Sequence, residues 1–566
     1  MARQRLRDLP IVCRSYWVKP ADKQLPKEVM DEAFRMNQLW NGFVAIGEEF
    51  REKYQHVLAE DPAVAAVKTE YEEADAAVTA AYEEFKKAKI RFRTKKGSNI
   101  KPFQDSYNEL KARRKEISKR LKEAKACTKE SKREELGAVG KAFLGKIDEE
   151  WKKAYRGSLY WANANAVKDS YLKAWKNGLK TGHFPKFHRF TGEARFCHQF
   201  IGGISTDKLF SRRSEIFSLA PYDTSCYHNP DLKPRQKKKF CRTFMTFQIG
   251  GIPVKFHINI HREIPKGYLK QAVLIRKKVG TNIEWSVSFT LEEEEPQMVS
   301  SQPAAIAAID LGFRIIDDRM RIGVLVADDR REEIWLPDKV IAAKRHAKEL
   351  QSERDTLFEK AKAKTFEMLP SGLSPELKAN WDKARQPRLI KIMRHLKDTG
   401  HFLADELGKW HVRDRRLFDE ISGLNARALR HRKWAYYNIA NRLFDTYGTL
   451  IVENLNLGDM AKKERADGSA NELVKAAREY RTIASLGEFL SILRDVAKKK
   501  GTTIEEAEAA YSTMKCSICG GLCHPSDRAK LLWKCEHCGS EWDQDFNAAT
   551  NLYAGYQQTG TAACSS

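Results

Sequence analysis

The sequence predicts a multidomain protein of mixed α+β and α/β class: a helical lobe, an antiparallel β-barrel domain, and an α/β lobe with an inserted zinc ribbon. Three observations support this prediction. Apolar residues recur every seven positions in the first third of the 566-residue chain, every second position in the middle, and in short continuous runs in the second half. These patterns are typical of packed helices, of antiparallel strands and of buried strands in an α/β sheet, respectively.

The helical lobe follows a strand-like segment at residues 1–20. From Val64 to Phe85, apolar residues repeat every seven positions on a charged helix, and after a glycine-containing turn a second helix carries a seam from Phe103 to Leu121. Two such helices can bury their seams against each other, so we expect an antiparallel hairpin within the chain. The alternative is a coil that mediates dimerisation.

A β-domain follows the helices. Four segments between Thr243 and Phe289 alternate apolar and polar residues and are separated by glycine and proline, as in a small antiparallel barrel or sandwich. Two basic runs, 235–239 and 276–278, belong to this region of a chain with formal net charge +25. Each run alone could be a solvated face. Together they favour contact with nucleic-acid phosphates, because lysine and arginine dominate that affinity.

The cysteine pattern indicates the cellular compartment. Eleven cysteines, an odd number, are scattered apart from two CxxC pairs, which is typical of a reducing compartment and one metal site rather than a disulfide framework. The N-terminus lacks the apolar stretch of a signal peptide, and no continuous apolar run of about 18 residues occurs. We therefore expect a cytoplasmic protein that does not contact a membrane.

The C-terminal region contains the most specific motif. Cys516-x-x-Cys519 and Cys535-x-x-Cys538 are separated by fifteen residues, and two CxxC pairs at this spacing supply four thiolates to one tetrahedral Zn²⁺. Three other residues of this segment are alternative ligands, namely Cys523, His524 and His537. Four thiolates leave no open position for water, so we expect the zinc to be structural.

Three acidic residues stand at the ends of apolar runs or at the start of a helix. Asp310 ends one buried strand, Glu453 ends another, and Asp545 opens a helical segment. Each could instead be a turn or cap residue, as could Asp543. If the fold brings the three together, their carboxylates offer the oxygen ligands that Mg²⁺ requires. A pair of Mg²⁺ ions about 4 Å apart is a common catalyst of phosphodiester hydrolysis.

The order and context of these acids resemble the discontinuous RuvC-type nuclease of TnpB proteins and type V CRISPR effectors. Ile309–Gly312 resembles the family's hydrophobic-Asp-Leu-Gly segment, and Val452–Leu455 resembles its Val-Glu-Asn-Leu segment. The ribbon followed by Asp545–Asn551 resembles Asp-x-Asn-Ala-Ala-x-Asn, and Gly182–Phe187 resembles a Gly-x-Pro-x-Phe segment. Gln544 stands where TnpB-like proteins usually have arginine. The chain looks most like compact effectors near subtype M.

The resemblance implies a CRISPR RNA-guided DNA endonuclease that binds a guide RNA and cleaves complementary double-stranded DNA beside a short recognised motif. Asp310, Glu453 and Asp545 would be catalytic and would bind Mg²⁺ or Mn²⁺. One chain would bind one crRNA, with or without a second RNA, in a prokaryotic cytoplasm. Two alternatives are an RNA-guided binder that silences transcription without efficient cleavage and a TnpB-type transposon nuclease.

The resemblance also implies a bilobed architecture with a RuvC/RNase H-like second lobe. Its predicted parts are the first strands of a wedge β-domain (1–20), a helical recognition domain (21–180), the wedge β-barrel (181–295), a linker (296–303), the RuvC-like nuclease with a helical insertion (304–510), the zinc ribbon (511–540), and the C-terminal nuclease segment and tail (541–566).

Overall fold

The structure, a computed structural model, describes most of the chain: residues 11–91, 100–209, 217–227, 229, 231–233, 236, 240–293, 303–328, 330–368, 378, 381–454, 475–507, 513–524 and 530–563. The chain divides into two compact units, one with residues 1–277 and 284–296, the other with residues 278–283 and 297–566. None of the described helices is long and apolar enough to cross a membrane. Apart from Pro303, the predicted linker lies outside the described residues, and the seven domain ranges stay a prediction.

The first unit contains five long helices: α1 (Lys27–Ala59), α2 (Pro62–Arg91), α3 (Lys101–Ser131), α4 (Arg133–Gly157) and α5 (Trp161–Thr181). Arg114 of α3 pairs with Asp75 of α2. Later along α3, Arg120 pairs with Glu70, which comes earlier along α2. The two helices are therefore antiparallel, and Val78 of the heptad seam is buried between them. The predicted helical hairpin is confirmed.

Seven strands form one antiparallel sheet: β1 (Ile11–Pro20), β2 (Ala194–Ser205), β3 (Phe217–Leu219), β4 (Arg242–Ile249), β5 (Ile252–Asn259), β6 (Gly267–Val279) and β7 (Asn282–Glu293). Their order is β2-β6-β7-β1-β5-β4-β3, so the first strand of the chain lies in the middle of the sheet. Among the described residues, the edge strands β2 and β3 share no ladder, but the rings of Phe200 and Phe217 are 6.0 Å apart. The sheet is therefore nearly closed, which agrees with the predicted antiparallel barrel except for the missing ladder between its described edge strands.

The second basic run of the β-domain includes a residue with a structural role. Arg276 donates a hydrogen bond to the carbonyl oxygen of Gly192, and its guanidinium carbon lies 5.7 Å from the ring centre of Trp285. Burial lowers the pKa of this guanidinium. Arg276 is thus held by packing, which corrects its assignment to a phosphate-binding run. The other run, 235–239, lies outside the described residues except for Gln236.

The second unit contains a mixed sheet built from β8 (Ile306–Asp310), β9 (Arg314–Ile316), β10 (Arg319–Val326), β11 (Arg331–Leu336), β12 (Thr449–Glu453) and β13 (Thr503–Ala507). The order is β11-β10-β8-β12-β13, with β9 paired to β10. Strands β8, β10 and β11 are antiparallel neighbours, whereas β12 is parallel to both β8 and β13. The parallel strands are joined by long helical connections, as the α/β prediction requires.

Helices cover both faces of this sheet. The helices described in this unit are α6 (Asp338–Met368), α7 (Gln386–Asp398), α8 (Leu403–Thr446), α9 (Lys475–Ala484), α10 (Leu486–Lys500) and α11 (Gln544–Ala563). Ile309 of β8 packs in a cluster with residues of α6, α8 and α10. Its neighbour Ala308 faces the other side and packs with Leu552 and Tyr553 of α11. The central strands are therefore buried on both faces, which explains why their sequences are continuously apolar.

Candidate metal centres

Asp310 and Glu453 lie side by side at the carboxyl ends of two inner strands of the mixed sheet. They are the last residues of β8 and β12, two parallel neighbours in which Ile309 is opposite Val452. The carboxyl ends of parallel strands meet at the same edge of a sheet, so the next residue of each strand brings the two carboxyl groups together. The structure thus joins two of the three predicted acids, which are 143 residues apart in sequence.

The two carboxyl groups share a hydrogen bond and are largely buried. Burial raises the pKa of Asp310 well above its ordinary range, and the charges of Asp545 and Glu453 raise it further, while Arg321 opposes the shift. Burial also raises the pKa of Glu453, against the hydrogen bond with Asp310. The pair therefore holds a proton more tightly than exposed carboxyl groups would. A cation that replaced this proton would relieve the repulsion between the two carboxylates.

These pKa shifts predict that Asp310→Asn stabilises the protein when no Mg²⁺ is added. The pKa of Asp310 is higher in the folded state than in the unfolded state. Its contribution to stability is therefore complete below the unfolded pKa, near 4, and is lost as pH rises through the folded value. At pH 7–8 the unfolding temperature of the variant should be several degrees higher than that of the parent protein, because each kcal/mol of added stability raises it by about 2–4 °C. Thermal unfolding of the zinc-loaded protein between pH 5 and 8 measures this.

Asp318→Asn is the control for this experiment, because the Asp318 side chain is 86% exposed and its replacement should leave the unfolding temperature nearly unchanged. A variant Asp310→Asn that is less stable than the parent at pH 8 would contradict the assigned shift.

The two aspartates at the start of α11, Asp543 and Asp545, have different roles. Oδ1 of Asp543 accepts hydrogen bonds from the backbone N–H groups of Asp545 at 2.9 Å and Phe546 at 3.3 Å. Asp543 is therefore the N-cap of α11. Asp545 lies in the first turn of the helix, and its charge acts on Asp310. Of the two, Asp545 is the one that takes part in the electrostatics of the carboxylate pair.

A buried arginine that the sequence analysis missed connects these acids. Arg321 of β10 is 1% exposed. Its Nη1 lies 2.8 Å from Asp543 Oδ2 and 2.8 Å from Glu333 Oε1. Its Nη2 lies 3.0 Å from Asp543 Oδ1 and also contacts Asp545 Oδ2. An arginine inside the otherwise apolar run 320–326 was the available signal, because a buried charge requires charged partners.

The carboxylates of Asp310, Glu453 and Asp545 are not all close to one another. Within the described part of the chain, the single group of three or more metal-binding side chains whose ligand atoms all lie within 4.8 Å of one another is made of cysteines. Asp545 is instead paired with Arg321 and lies 3.5 Å from the guanidinium of Arg314. The oxygen donors fit Mg²⁺ chemically, and Asp310 with Glu453 forms two thirds of the predicted set.

The four predicted cysteine ligands do converge. Cys516, Cys519, Cys535 and Cys538 form the cluster just described, with Sγ–Sγ distances of 3.8 Å between Cys516 and Cys538 and 3.6 Å between Cys519 and Cys535. Ligand atoms at the corners of a tetrahedron with Zn–S bonds of about 2.3 Å are about 3.8 Å apart. The thiol arrangement therefore fits one tetrahedral metal ion.

Two equivalent turns hold these thiols. After Cys516, and again after Cys535, the backbone turns back through a glycine in the left-handed conformation. Gly520 has a φ of 75° and Gly539 a φ of 74°, and glycine adopts this conformation without strain. Burial opposes ionisation of Cys535, but backbone N–H groups of His537 and Cys538 point at its sulfur and lower its pKa to about 6. Such a thiol is readily available as a thiolate ligand.

The alternative ligands are placed differently. His537 Nε2 lies 3.0 Å from the carbonyl oxygen of Leu522, and His524 is exposed. Cys523 is buried with its Sγ 3.6 Å from that of Cys535, but it falls outside the group of four mutually close thiols. The geometry favours the two CxxC pairs as the ligand set, with Cys523 as a fifth thiol next to it.

The cysteine site is attached to α11 by an asparagine. Asn547 is 2% exposed. Its Oδ1 accepts a hydrogen bond from the Ser517 N–H at 2.9 Å, and its Nδ2 donates to the Lys515 carbonyl oxygen at 2.8 Å. Asn547 thus binds the first cysteine turn, and its neighbours Ala548 and Ala549 are fully buried. The metal site and Asp545 are thus joined through the same helix.

The chain is similar to several known proteins. A family model described as Cas12f1-like, TNB domain, matches residues 487–552, which include nearly all of α10, β13, the four cysteines and the start of α11. The chain is 28% identical to the CRISPR-associated DNA-binding protein Cas12m of Pelobacter propionicus, over 97% of this chain and 88% of that protein. A protein of the same name from Thermanaerosceptrum fracticalcis is 29% identical over 76% of this chain and 75% of its own length.

More distant similarities extend to other proteins. A TnpB-like protein of Acanthamoeba polyphaga mimivirus is 27% identical over 25% of this chain and 26% of its own length. Among solved structures, the Cas12f1–sgRNA–target DNA complex covers 96% of this chain and 98% of that chain, with a TM-score of 0.38 and 12% identity.

The sequence matches place the chain among relatives of the type V CRISPR effectors, with a more distant relation to TnpB. Within the effectors, it is similar over most of its length to the Cas12m proteins. The resemblance to subtype M that the sequence predicts is confirmed.

Proposed function

We propose that this protein is an RNA-guided DNA-targeting effector with a RuvC-like, metal-dependent endonuclease site. The observation that carries the proposal is the pairing of Asp310 and Glu453 at the ends of adjacent parallel strands. The sheet order, three antiparallel strands followed by two parallel ones, is that expected of a RuvC/RNase H-like fold. Helices on both faces leave the strand ends as the place for chemistry.

Asp310, Glu453 and Asp545 would hold Mg²⁺ or Mn²⁺ at this edge. When bound, such ions supply charge stabilisation to the phosphoryl group and lower the pKa of an attacking water. Asp310 and Glu453 would act as ligands in their ionised form, so metal binding would release the proton that their raised pKa values favour. Asp545 must turn from Arg321 towards them to complete the set. The burial of the pair keeps bulk water away and strengthens each electrostatic contact.

The four cysteines would bind one structural Zn²⁺. All four sulfurs lie within 4.8 Å of one another, and a tetrahedral zinc bound by all four would have no position open for a reacting water. Through Asn547 the zinc would fix the first turn of α11. The ion would thereby stabilise the helix that carries Asp545.

Base pairing with a guide RNA would supply sequence specificity, and basic side chains would hold the nucleic-acid backbone. Helix α3 carries ten lysines and arginines against five acidic residues. Two of its arginines pair with α2, whereas Lys115, Lys122 and Lys129 are exposed. The relatives are described as CRISPR-associated and DNA-binding. We infer that one chain binds one guide RNA, with or without a second RNA, and through it double-stranded DNA.

We expect the affinity for guide RNA to fall by about 10³–10⁵ between 50 and 200 mM salt, if some 6–10 phosphates are neutralised. Replacing Lys115, Lys122 and Lys129 by alanine should make the slope of log K against log salt shallower by about 2–3. A filter-binding titration with the RNA that co-purifies with the protein measures both.

The matched control replaces three cations of α2, Lys68, Lys86 and Lys87, by alanine. Two of them, Lys68 and Lys86, face acidic residues of their own helix, so their removal should change the slope little. Binding that does not depend on salt, or a purified protein without RNA, would exclude the RNA-guided proposal.

A second candidate is an RNA-guided binder that silences transcription without efficient cleavage. Two observations favour it: Asp545 is paired with Arg321 rather than with the carboxylate pair, and the similar proteins are described as DNA-binding. A guided strand-scission assay with Mg²⁺ or Mn²⁺ separates it from the nuclease. The TnpB-type alternative is decided by the genomic neighbour, a CRISPR array or a transposon end.

A further inference from the structure

Arg321 has two kinds of carboxylate partner. It holds Asp543 with both terminal nitrogens, at 2.8 and 3.0 Å, the two-pronged geometry that fixes a guanidinium and a carboxylate in one plane. The same Asp543 caps α11. With Asp545, in contrast, Arg321 makes one contact through Nη2. The first contact belongs to the scaffold, and the second involves a predicted metal ligand.

A local irregularity of β10 brings Arg321 into this position. The pairing of β10 with β11 shifts register between Arg321 and Gly323, and such a bulge re-aims the side chains next to it. Arg321 is also opposite Arg314 of β9, whose Nη2 donates to Gln544 Oε1 at 2.8 Å and lies 3.5 Å from Asp545 Oδ1. Two guanidinium groups therefore face the two oxygens of Asp545.

We propose that Arg321 is a positioning residue that occupies Asp545 in the metal-free protein and gives it up when a divalent cation binds, so that Arg321 sets the metal concentration the site requires. This inference rests on the proposed metal-dependent function. It goes beyond that function by assigning a competitor for one ligand. The separation of Asp545 from the cluster of Asp310 and Glu453 is the expected consequence of such competition.

The exchange requires little rearrangement. When Asp545 leaves, Arg321 keeps three contacts, two with Asp543 and one with Glu333 at 2.8 Å. The guanidinium therefore stays paired in the interior, and no buried charge is left alone. Asp545 in turn exchanges one cationic partner for another. The scaffold contact with Asp543 holds α11 in place while its neighbour moves.

The test measures metal binding without nucleic acid and without cleavage. Free Mn²⁺ is determined by electron paramagnetic resonance while the zinc-loaded full chain is titrated with Mn²⁺. The Mn²⁺ binding that the parent protein shows and Asp310→Asn lacks is assigned to the nuclease site. The central variant is Arg321→Met combined with Asp543→Asn. This pair removes the guanidinium and its main partner together, and asparagine retains the N-cap. Asp543→Asn alone is the matched control.

We expect the double variant to bind Mn²⁺ about tenfold more tightly, because a nearby opposite charge shifts the cation affinity of a carboxylate by a factor of about ten or more. Asp543→Asn alone should weaken Mn²⁺ binding about threefold, since Arg321 then has Asp545 and Glu333 as its remaining partners. Arg314→Gln is a milder change at a partly exposed side chain and should tighten Mn²⁺ binding about two- to threefold. It replaces the double variant as the test if the double variant does not fold.

Opposite signs for the double and single variants are the result that supports the exchange. Unchanged or weaker Mn²⁺ binding in both the double variant and Arg314→Gln would overturn it and leave Arg321 as a scaffold residue, while the proposed function would stand. If the parent protein shows no Mn²⁺ binding that Asp310→Asn removes, the inference fails together with the proposed nuclease site.

Discussion

Asp545→Ala is expected to abolish guided DNA cleavage while guided binding of target DNA stays within about threefold of the parent protein. The carboxylate is the third oxygen donor of the proposed site, and loss of a metal ligand removes several kcal/mol of stabilisation from the charged transition state. A decrease of about 10³-fold or more in the cleavage rate follows. Binding depends on the basic surface and on base pairing, which lie outside this carboxylate.

The measurement is a single-turnover cleavage assay with Mg²⁺ and Mn²⁺, together with a gel-shift assay on the same guide and target. Asp543→Asn is the matched control, since it removes a neighbouring charge but keeps the N-cap of α11. It should retain cleavage, with a higher metal requirement. Asp543→Ala also loses the cap, at about 1 kcal/mol, and should still retain measurable activity.

If Asp543→Asn abolishes cleavage and Asp545→Ala does not, the third ligand is Asp543. If the parent protein binds its guided target tightly and never cuts it with either metal, the nuclease proposal fails and the silencing binder replaces it.

Cys535→Ser is expected to lose the zinc and to unfold the segment from residue 513 to 543. Its thiol has the low pKa of a ready ligand, and structural zinc contributes about 10–16 kcal/mol to the folding of small zinc domains. Buried Trp533 and Trp542 are the main apolar support of this segment in the described chain. Because Asn547 binds its first turn, the loss should extend to the start of α11.

Elemental analysis should find about one zinc per chain in the parent protein and much less in the variant. Limited proteolysis should then cut the variant within the ribbon segment. Cys127→Ser is the control, since this cysteine is exposed on α3 and should leave zinc and stability unchanged. Full zinc occupancy in Cys535→Ser would show that Cys523, whose sulfur lies 3.6 Å away, belongs to the ligand set. The double variant Cys523→Ser/Cys535→Ser would then lose the metal.

Several features were predictable because they are written in local patterns. The heptad seam of α2 and α3 records which faces are buried, and the hairpin follows from it. The continuous apolar runs before Asp310 and Glu453 record burial on both faces of a sheet. The CxxC pairs are local turns whose spacing already brings each pair of thiols together. In these cases, residues close in sequence determine the contact, so periodicity and spacing suffice.

The sequence by itself thus determined the order of helical, antiparallel and α/β regions, the cysteine set and the three candidate acids. Only the tertiary structure decided how those acids are used. It paired Asp310 with Glu453, gave Asp543 to the helix cap, and placed Arg321 against Asp545. It also directed Asn547 to the first cysteine turn. The physical reason is that burial of one face of a helix or strand produces a periodic pattern of apolar residues in the sequence. The partner of a buried charge, here more than 200 residues away, is not indicated by any local pattern.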